Sequence, residues 1–266
     1  MIVFSDIDGT IYGKKFEYSN DVKESILNFQ NKGGNFVIAT GNPAFSRIQK
    51  LASELNVKYL ITSNGATIFD NEEKKYIFKN IIPKKIQQII FDVAKKNNTQ
   101  INFWDLNNFY TFNRWKEHSK SYDYSLLNSD EVIDLFEPKE DIVKMELFGD
   151  KNTILNAYNE LKTIDVTIAK MRDEHIEITA KNTSKGLALK WFLENHFNEL
   201  PENVMSIGDS PNDWSMFEIT GFSYAMENAT EETKKRAKYH TSRYNQNGVG
   251  MAILDYIDRI NVKKLS

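Results

Sequence analysis

Short apolar runs alternate with amphipathic stretches from the start of the chain, and this rhythm constrains the fold more than any other feature. The run 2–4 (Ile-Val-Phe) is bounded by polar residues, as expected of a strand buried on both faces of a parallel sheet. After Ser19, a natural N-cap, Val22, Ile26, Leu27 and Phe29 recur at near-helical spacing until Gly33-Gly34 stops the element. "NFVIATGN" (35–42) repeats the strand, and "PAFSRIQKLASEL" (43–55) predicts a helix with Pro43 in its first turn. "KYLITSNGATIFD" (58–70) adds a third strand, a turn at Asn64-Gly65 and a hairpin continuing through "KKYIFK". Strands alternating with helices at this spacing imply right-handed crossovers and an α/β fold, a Rossmann-like three-layer core around a mostly parallel sheet.

The rhythm breaks between 83 and 183. A helix at 83–96, alternating strands within 101–112, the strands "DIVKMELFG" (141–149) and "HIEITAK" (175–181), and an amphipathic helix at 152–162 describe a separate α+β unit. Its alternating strands predict one sheet face left open. From 184 the αβ order resumes with helix "SKGLALKWFLENHF", strand "NVMSIGD", helix "PNDWSMFEIT", strand "FSYAM", helix "TEETKKRAKYH" and a final helix from Val249 ending in a frayed "NVKKLS". The core therefore spans 1–82 and 184–266, interrupted by 83–183.

Four short stretches lie at strand ends or helix starts, where open α/β sheets bind ligands. Asp6-Ile7-Asp8-Gly9-Thr10 places two carboxylates two residues apart; by itself this is a common turn sequence. Thr40-Gly41 offers a hydroxyl and backbone amides that could hold a phosphate oxygen, although a Thr-Gly strand exit is also ordinary turn chemistry. Lys185 sits in the first turn of a helix, the end whose dipole disfavours a cation, which makes sense if an anion lies beside it. Gly208-Asp209-Ser210-Pro211-Asn212-Asp213 adds two acids, of which Asp213 also suits a helix start. Clustered carboxylates need a shared proton or a bound cation, and Mg²⁺ takes such oxygens while keeping waters for substrate.

Composition narrows the partners. With 34 basic and 37 acidic residues among 266 and a net charge of -3, no cationic surplus points to nucleic acid. There are no cysteines, which excludes disulfides and thiolate metal sites and agrees with a reducing compartment. The chain starts directly into an apolar strand without a basic leader, and no apolar run approaches the ~18 residues of a membrane span, so a cytoplasmic location off the membrane is expected. Nothing in the sequence indicates an oligomeric state.

Taken in order, "DIDGT", "ATG", "SKG" and "GDSPND", accompanied by "SNGA" (63–66) and "AMENA" (225–229), resemble the motif set of the haloacid dehalogenase superfamily of aspartyl-phosphate hydrolases, in particular its Cof-like sugar-phosphatase group. The resemblance implies that 83–183 is a large cap inserted between the second and third motifs. It implies Asp6 as nucleophile and Asp8 as general acid and base. Mg²⁺ would be held by the Asp6 carboxylate, the Asp8 backbone carbonyl and the Asp209 carboxylate, with Asp213 supporting the metal from behind its ligands. Thr40, the Gly41 amide and Lys185 would hold phosphoryl oxygens, and Asn212 would help hold phosphate or Lys185. Asn42 departs from the pattern, since relatives often carry Arg after the second-motif glycine. Trp104, Arg114, His118, Lys144, Glu146 and Arg172 are candidates for facing the substrate from the cap, set against core packing and solvated charge as the ordinary explanations. The expected activity is Mg²⁺-dependent hydrolysis of a small phosphorylated metabolite, a sugar phosphate above all. A phosphomutase shares the first half-reaction, and a non-catalytic sugar-phosphate sensor would have no use for Asp6 and Asp8.

Overall fold

A computed structural model describes residues 1–13, 17–113 and 132–265. The buried strand β1 (Ile2–Ser5) is followed by α1 (Asn20–Asn31), which starts where the Ser19 hydroxyl accepts the Val22 N–H and buries Val22, Ile26 and Phe29 along one face. β2 (Asn35–Ala39) leads to α2 (Ser46–Glu54), which begins after Pro43 rather than at it. The reason is local: the Asn42 amide donates to Thr40 Oγ1 and its carbonyl accepts the Ser63 N–H, so the chain is committed to a turn before a helix can start. β3 (Tyr59–Thr62), β4 (Thr67–Asp70) and β5 (Lys75–Lys79) follow, with a 3₁₀ turn at Ser63–Gly65 between the first two.

The chain continues through α3 (Lys84–Lys96), β6 (Gln100–Trp104), β7 (Phe109–Phe112), β8 (Val132–Asp134), β9 (Lys144–Phe148), α4 (Lys151–Leu161), β10 (Val166–Arg172) and β11 (His175–Ala180). It ends with α5 (Lys185–Phe192), β12 (Met205–Gly208), α6 (Trp214–Phe217), β13 (Phe222–Met226), α7 (Glu231–Arg236), β14 (Tyr239–Thr241) and α8 (Gly248–Leu265). β14 and the end of α8 depart from the sequence expectation. "KYH" leaves α7 because the Lys238 amide donates to Ser223 Oγ and Tyr239–Thr241 pairs in parallel with β13. The C-terminal segment stays helical to Leu265, with Lys263 Nζ donating to the Glu202 carbonyl and Asn203 Oδ1.

Two compact units result. The first comprises Met1–Asn42, Gln49–Ile77 and Ser184–Ser266; the second comprises Pro43–Ile48 and Phe78–Thr183. The first is built on a sheet ordered β14-β13-β12-β1-β2-β3-β4-β5, parallel from β14 to β3, with β4 antiparallel to β3. Because β12, β1 and β2 are parallel neighbours, the residues leaving their carboxyl ends emerge along one edge, and these are Asp209, Asp6 and Thr40.

The second unit has a sheet ordered β10-β11-β9-β6-β7-β8, antiparallel except between β7 and β8. Ile90 and Phe91 of α3 and Ile154, Ala157 and Leu161 of α4 form a core with Ile101, Phe103, Met145, Leu147, Ile176 and Ile178. The opposite face is not open as the alternation suggests. Trp104, Lys144, Glu146, Glu177 and Thr179 are buried there, and the Lys144 ammonium, 3.0 Å from Glu146 and 2.8 Å from Glu177, offsets the cost of burying those charges. Among the described residues, no helix is long and apolar enough to cross a membrane.

Candidate active site

The centre of the site is an ammonium shared by two carboxylates. The Asp6 amide donates to the Ile207 carbonyl at 3.0 Å, carrying the β1–β12 pairing one residue beyond the strand and fixing where the Asp6 side chain leaves it. Lys185 opens α5, whose N-terminus is capped by the Ser184 hydroxyl. Its Nζ is buried and donates to Asp6 Oδ1 and Asp213 Oδ1, both at 2.7 Å. A lysine at the positive end of a helix dipole is thereby explained: two anions face it. Gly65, at φ +94°, allows the Ser63–Gly65 turn to lie against the start of α5, since a Cβ there would strike the Ser184 carbonyl oxygen.

The electrostatics show how crowded these acids are. Burial raises the Asp6 pKa well above the usual carboxylate range; Lys185 opposes this, while Asp213, Asp209 and Asp8 add to it by repulsion. Burial also pushes Asp209 up to about 7, with Asp213 and Asp8 raising it further against the pull of Lys185. Burial works against the charge on Lys185, but Asp213 and Asp6 outweigh it and hold its pKa above the ordinary lysine range.

Asp213 is fully engaged. Its Oδ1 accepts from Lys185, and its Oδ2 accepts the amides of Asp209 at 3.0 Å and Ser210 at 3.1 Å, closing a capping box with Ser210. It therefore holds the loop that presents Asp209. One carboxylate oxygen each from Asp6, Asp209 and Asp213 lie within 4.8 Å of one another. Asp209 Oδ1 is shut off from solvent without a hydrogen-bond partner among the described residues. A buried, unpaired carboxylate oxygen beside other acid oxygens fits a hard divalent cation, with Asp6 and Asp209 as the side chains whose oxygens remain available.

Gly9, at φ +85°, is where a Cβ would collide with the Asp209 carboxylate, so the two loops meet by virtue of having no side chain there. Asn228 ties them together, donating through Nδ2 to the Gly9 carbonyl at 2.8 Å and to Asp209 Oδ2 at 3.4 Å. Asp8 itself is exposed, unlike Asp6, and its Oδ2 accepts from Asn42 Nδ2 at 2.7 Å. Thr40 is buried at the end of β2, its amide bonded to the Ile61 carbonyl. Beside Gly41 lie Asn64 and Asn212, joined by a 3.3 Å hydrogen bond from Asn212 Nδ2 to Asn64 Oδ1. Asn212 Oδ1 accepts from Ser210, and Lys185 Nζ bonds Asp6 and Asp213 rather than Asn212 among the described residues, so one of the two jobs the sequence suggests for Asn212 is not made as a direct bond.

The structure thus gathers Asp6, Asp8, Asp209, Asp213, Thr40, Gly41, Lys185 and Asn212 around the edge formed by β12, β1 and β2. Asn42, Asn64 and Asn228 receive no role from sequence reasoning. Asn64 and Asn228 lie in "SNGA" and "AMENA", and Asn42 is the departure from the motif, so their stretches are visible without their bonds. Among the second-unit candidates, Trp104, Lys144 and Glu146 are buried together, with the ammonium 5.1 Å from the indole ring centre. Burial pushes Glu146 up to about 7, with Lys144 opposing and Glu177 adding to the shift. Arg172 is exposed, and Arg114 and His118 lie outside the described residues.

Known proteins share this arrangement of sequence and fold. The sequence profile of the haloacid dehalogenase-like hydrolases matches residues 3–253. A curated relative, the 5-amino-6-(5-phospho-D-ribitylamino)uracil phosphatase YcsE of Bacillus subtilis, is 28% identical over 262 residues, covering 96% of this chain and 95% of its own. A haloacid dehalogenase-like hydrolase from Bacteroides thetaiotaomicron superposes with a TM-score of 0.84 at 26% identity, covering 96% of this chain and 98% of that one. A sugar phosphatase of haloacid dehalogenase subclass IIB shares the fold with the same TM-score and coverage at 23% identity. Since the profile spans nearly the whole sequence and includes each of the acids assembled above, the chain belongs to the haloacid dehalogenase-like hydrolases.

Proposed function

We propose that the protein is a Mg²⁺-dependent phosphatase that hydrolyses small phosphomonoesters, sugar phosphates above all, through phosphoryl transfer to Asp6. The observation that carries this reading is the buried Lys185 ammonium bridging Asp6 and Asp213, next to an Asp209 oxygen that lacks a partner among the described residues. A site that only bound phosphate would gain nothing from a carboxylate held against its own anion. When bound by the Asp6 and Asp209 carboxylates and the Asp8 backbone carbonyl, Mg²⁺ supplies the charge neutralisation that lets an anionic nucleophile approach a phosphate.

The chain's own residues do the rest. An Asp6 oxygen attacks phosphorus, the bond to the ester oxygen breaks, and Asp8 gives that oxygen its proton. Asp8 then takes a proton from the water that attacks the acyl phosphate, releasing inorganic phosphate and restoring Asp6. Lys185, the Thr40 hydroxyl and the Gly41 amide hold the equatorial oxygens, with Asn64 and Asn212 shaping the far side of that cradle. Asp213 keeps Lys185 and the Asp209 loop in place. In this reading the second unit is the cap that selects a cytoplasmic phosphorylated metabolite.

The test is hydrolysis of an aryl phosphate, a panel of sugar phosphates and a ribityl phosphate ester in Mg²⁺, with inorganic phosphate as the product measured. Asp6→Asn should lose at least about a thousandfold in turnover, as loss of a nucleophile does. Unchanged turnover in that variant would remove Asp6 from its role, and an isomerised sugar phosphate in place of inorganic phosphate would replace hydrolysis by mutase chemistry.

A further inference from the structure

We infer that Asn42 is a positioning residue for this phosphoryl transfer: its side-chain amide aims the Asp8 carboxyl and turns the Thr40 hydroxyl toward the phosphate. The inference rests on the phosphatase reading above and adds a residue to it. Asn42 Nδ2 has two hydrogens and both are used, one on Asp8 Oδ2 at 2.7 Å and one on Thr40 Oγ1 at 3.1 Å. The Asn42 backbone amide donates to the same Thr40 oxygen, also at 3.1 Å. A threonine hydroxyl has two lone pairs and one hydrogen. With both lone pairs taken by Asn42, Thr40 has only its O–H left to offer, which is what a phosphoryl oxygen requires.

The same amide restrains Asp8, an exposed side chain on a loop that turns at Gly9. A hydrogen bond from a fixed amide narrows the rotamers that an aspartate there samples, favouring those that point at a leaving group. Asn42 can act as the tether because its own backbone is held: its carbonyl accepts the Ser63 N–H at 2.9 Å, and Pro43 narrows its conformational range from the other side. One planar group therefore links the acid that protonates the leaving oxygen to the hydroxyl that holds the phosphate. In the step concerned, the Asp6 oxygen–phosphorus bond forms, and the electron pair of the breaking phosphorus–oxygen bond goes to the ester oxygen. That oxygen receives the proton from Asp8.

The test compares two substrates with the Mg²⁺-loaded enzyme. An aryl phosphate such as p-nitrophenyl phosphate expels a stable anion and needs little help from an acid, whereas a hexose 6-phosphate expels an alkoxide and needs a proton. In Asn42→Ala, kcat/KM for the hexose ester should fall at least about 10-fold further than kcat/KM for the aryl ester, the scale of a displaced acid. Any loss from a disoriented Thr40 is common to both substrates and leaves that ratio unchanged. Asn42→Leu, close in volume but without the donor, should shift the ratio the same way, and it decides the matter if the alanine variant does not fold. Equal losses on both esters, or none, in a folded variant overturn the assignment of Asn42 while leaving the phosphatase reading standing. A wild-type enzyme inactive on both esters, or an Asp6→Asn variant with full activity, overturns the phosphatase reading and this inference with it.

Discussion

Lys185→Met keeps most of the volume of a buried side chain and removes its charge. In the wild type that charge lies 2.7 Å from an oxygen of Asp6 and 2.7 Å from an oxygen of Asp213, with no exposure to water. Removing one partner of a buried ion pair typically costs about 3–5 kcal/mol, because the other is left uncompensated. Here one cation serves two acids, so the loss should fall in that range at pH 8 in EDTA. Its pH dependence follows from the carboxylates. Lys185 has a raised pKa, so its own stabilising charge is complete throughout the range from pH 5 to 8. Asp6 already has a raised pKa, and without Lys185 it rises further; an acid raised in the folded state lowers stability as pH climbs above its unfolded value of about 4. The variant's deficit should therefore be smaller at pH 5 than at pH 8, and Mg²⁺ should recover part of it at pH 8. Native-state hydrogen exchange of the β1 and β12 amides reads the first unit directly. A loss below about 1 kcal/mol, equal at both pH values, would refute the claim that this ammonium balances the site.

Gly9→Ala should cost about 1–2 kcal/mol in stability and at least about 10-fold in Mg²⁺ affinity by calorimetry, since it combines a positive φ with a clash against Asp209; wild-type affinity would contradict the contact. Asp209→Asn should leave the chain folded yet raise the Mg²⁺ concentration for half-maximal turnover at least about 10-fold; an unchanged requirement would remove Asp209 from the metal site. In the second unit, burial raises Glu146 from 4.5 to about 7, so its ionisation lowers stability as pH rises through that interval. Glu146→Gln cannot ionise there and should flatten the decline, read from exchange of the β9 amides between pH 5 and 8; the same slope in both proteins would show that Glu146 does not titrate in this window.

Much of the molecule is legible in the sequence because the relevant signals are local. The Ser19 cap, the glycine stop after α1, the apolar strands and the lysine at the wrong end of a helix each follow from a few adjacent residues. Other features depend on partners far along the chain. "KYH" reads as the end of a helix until β13 is beside it, and Lys144 and Glu146 read as solvent-facing until Glu177 arrives from another strand. The bond between Asn42 and Asp8 joins positions 34 residues apart and has no sequence signature. Which groups carry charge, where the strands end, and hence which acids leave strand ends on one side of a parallel sheet are set by neighbouring residues, because periodicity and capping act within a few positions. That one buried ammonium serves both Asp6 and Asp213, that both Asp213 oxygens are bonded, and that Asn42 reaches Asp8 depend on the folded chain. Those outcomes depend on hydrogen-bond distances and desolvation, which change steeply within an ångström and are set by elements that meet only when the chain is folded.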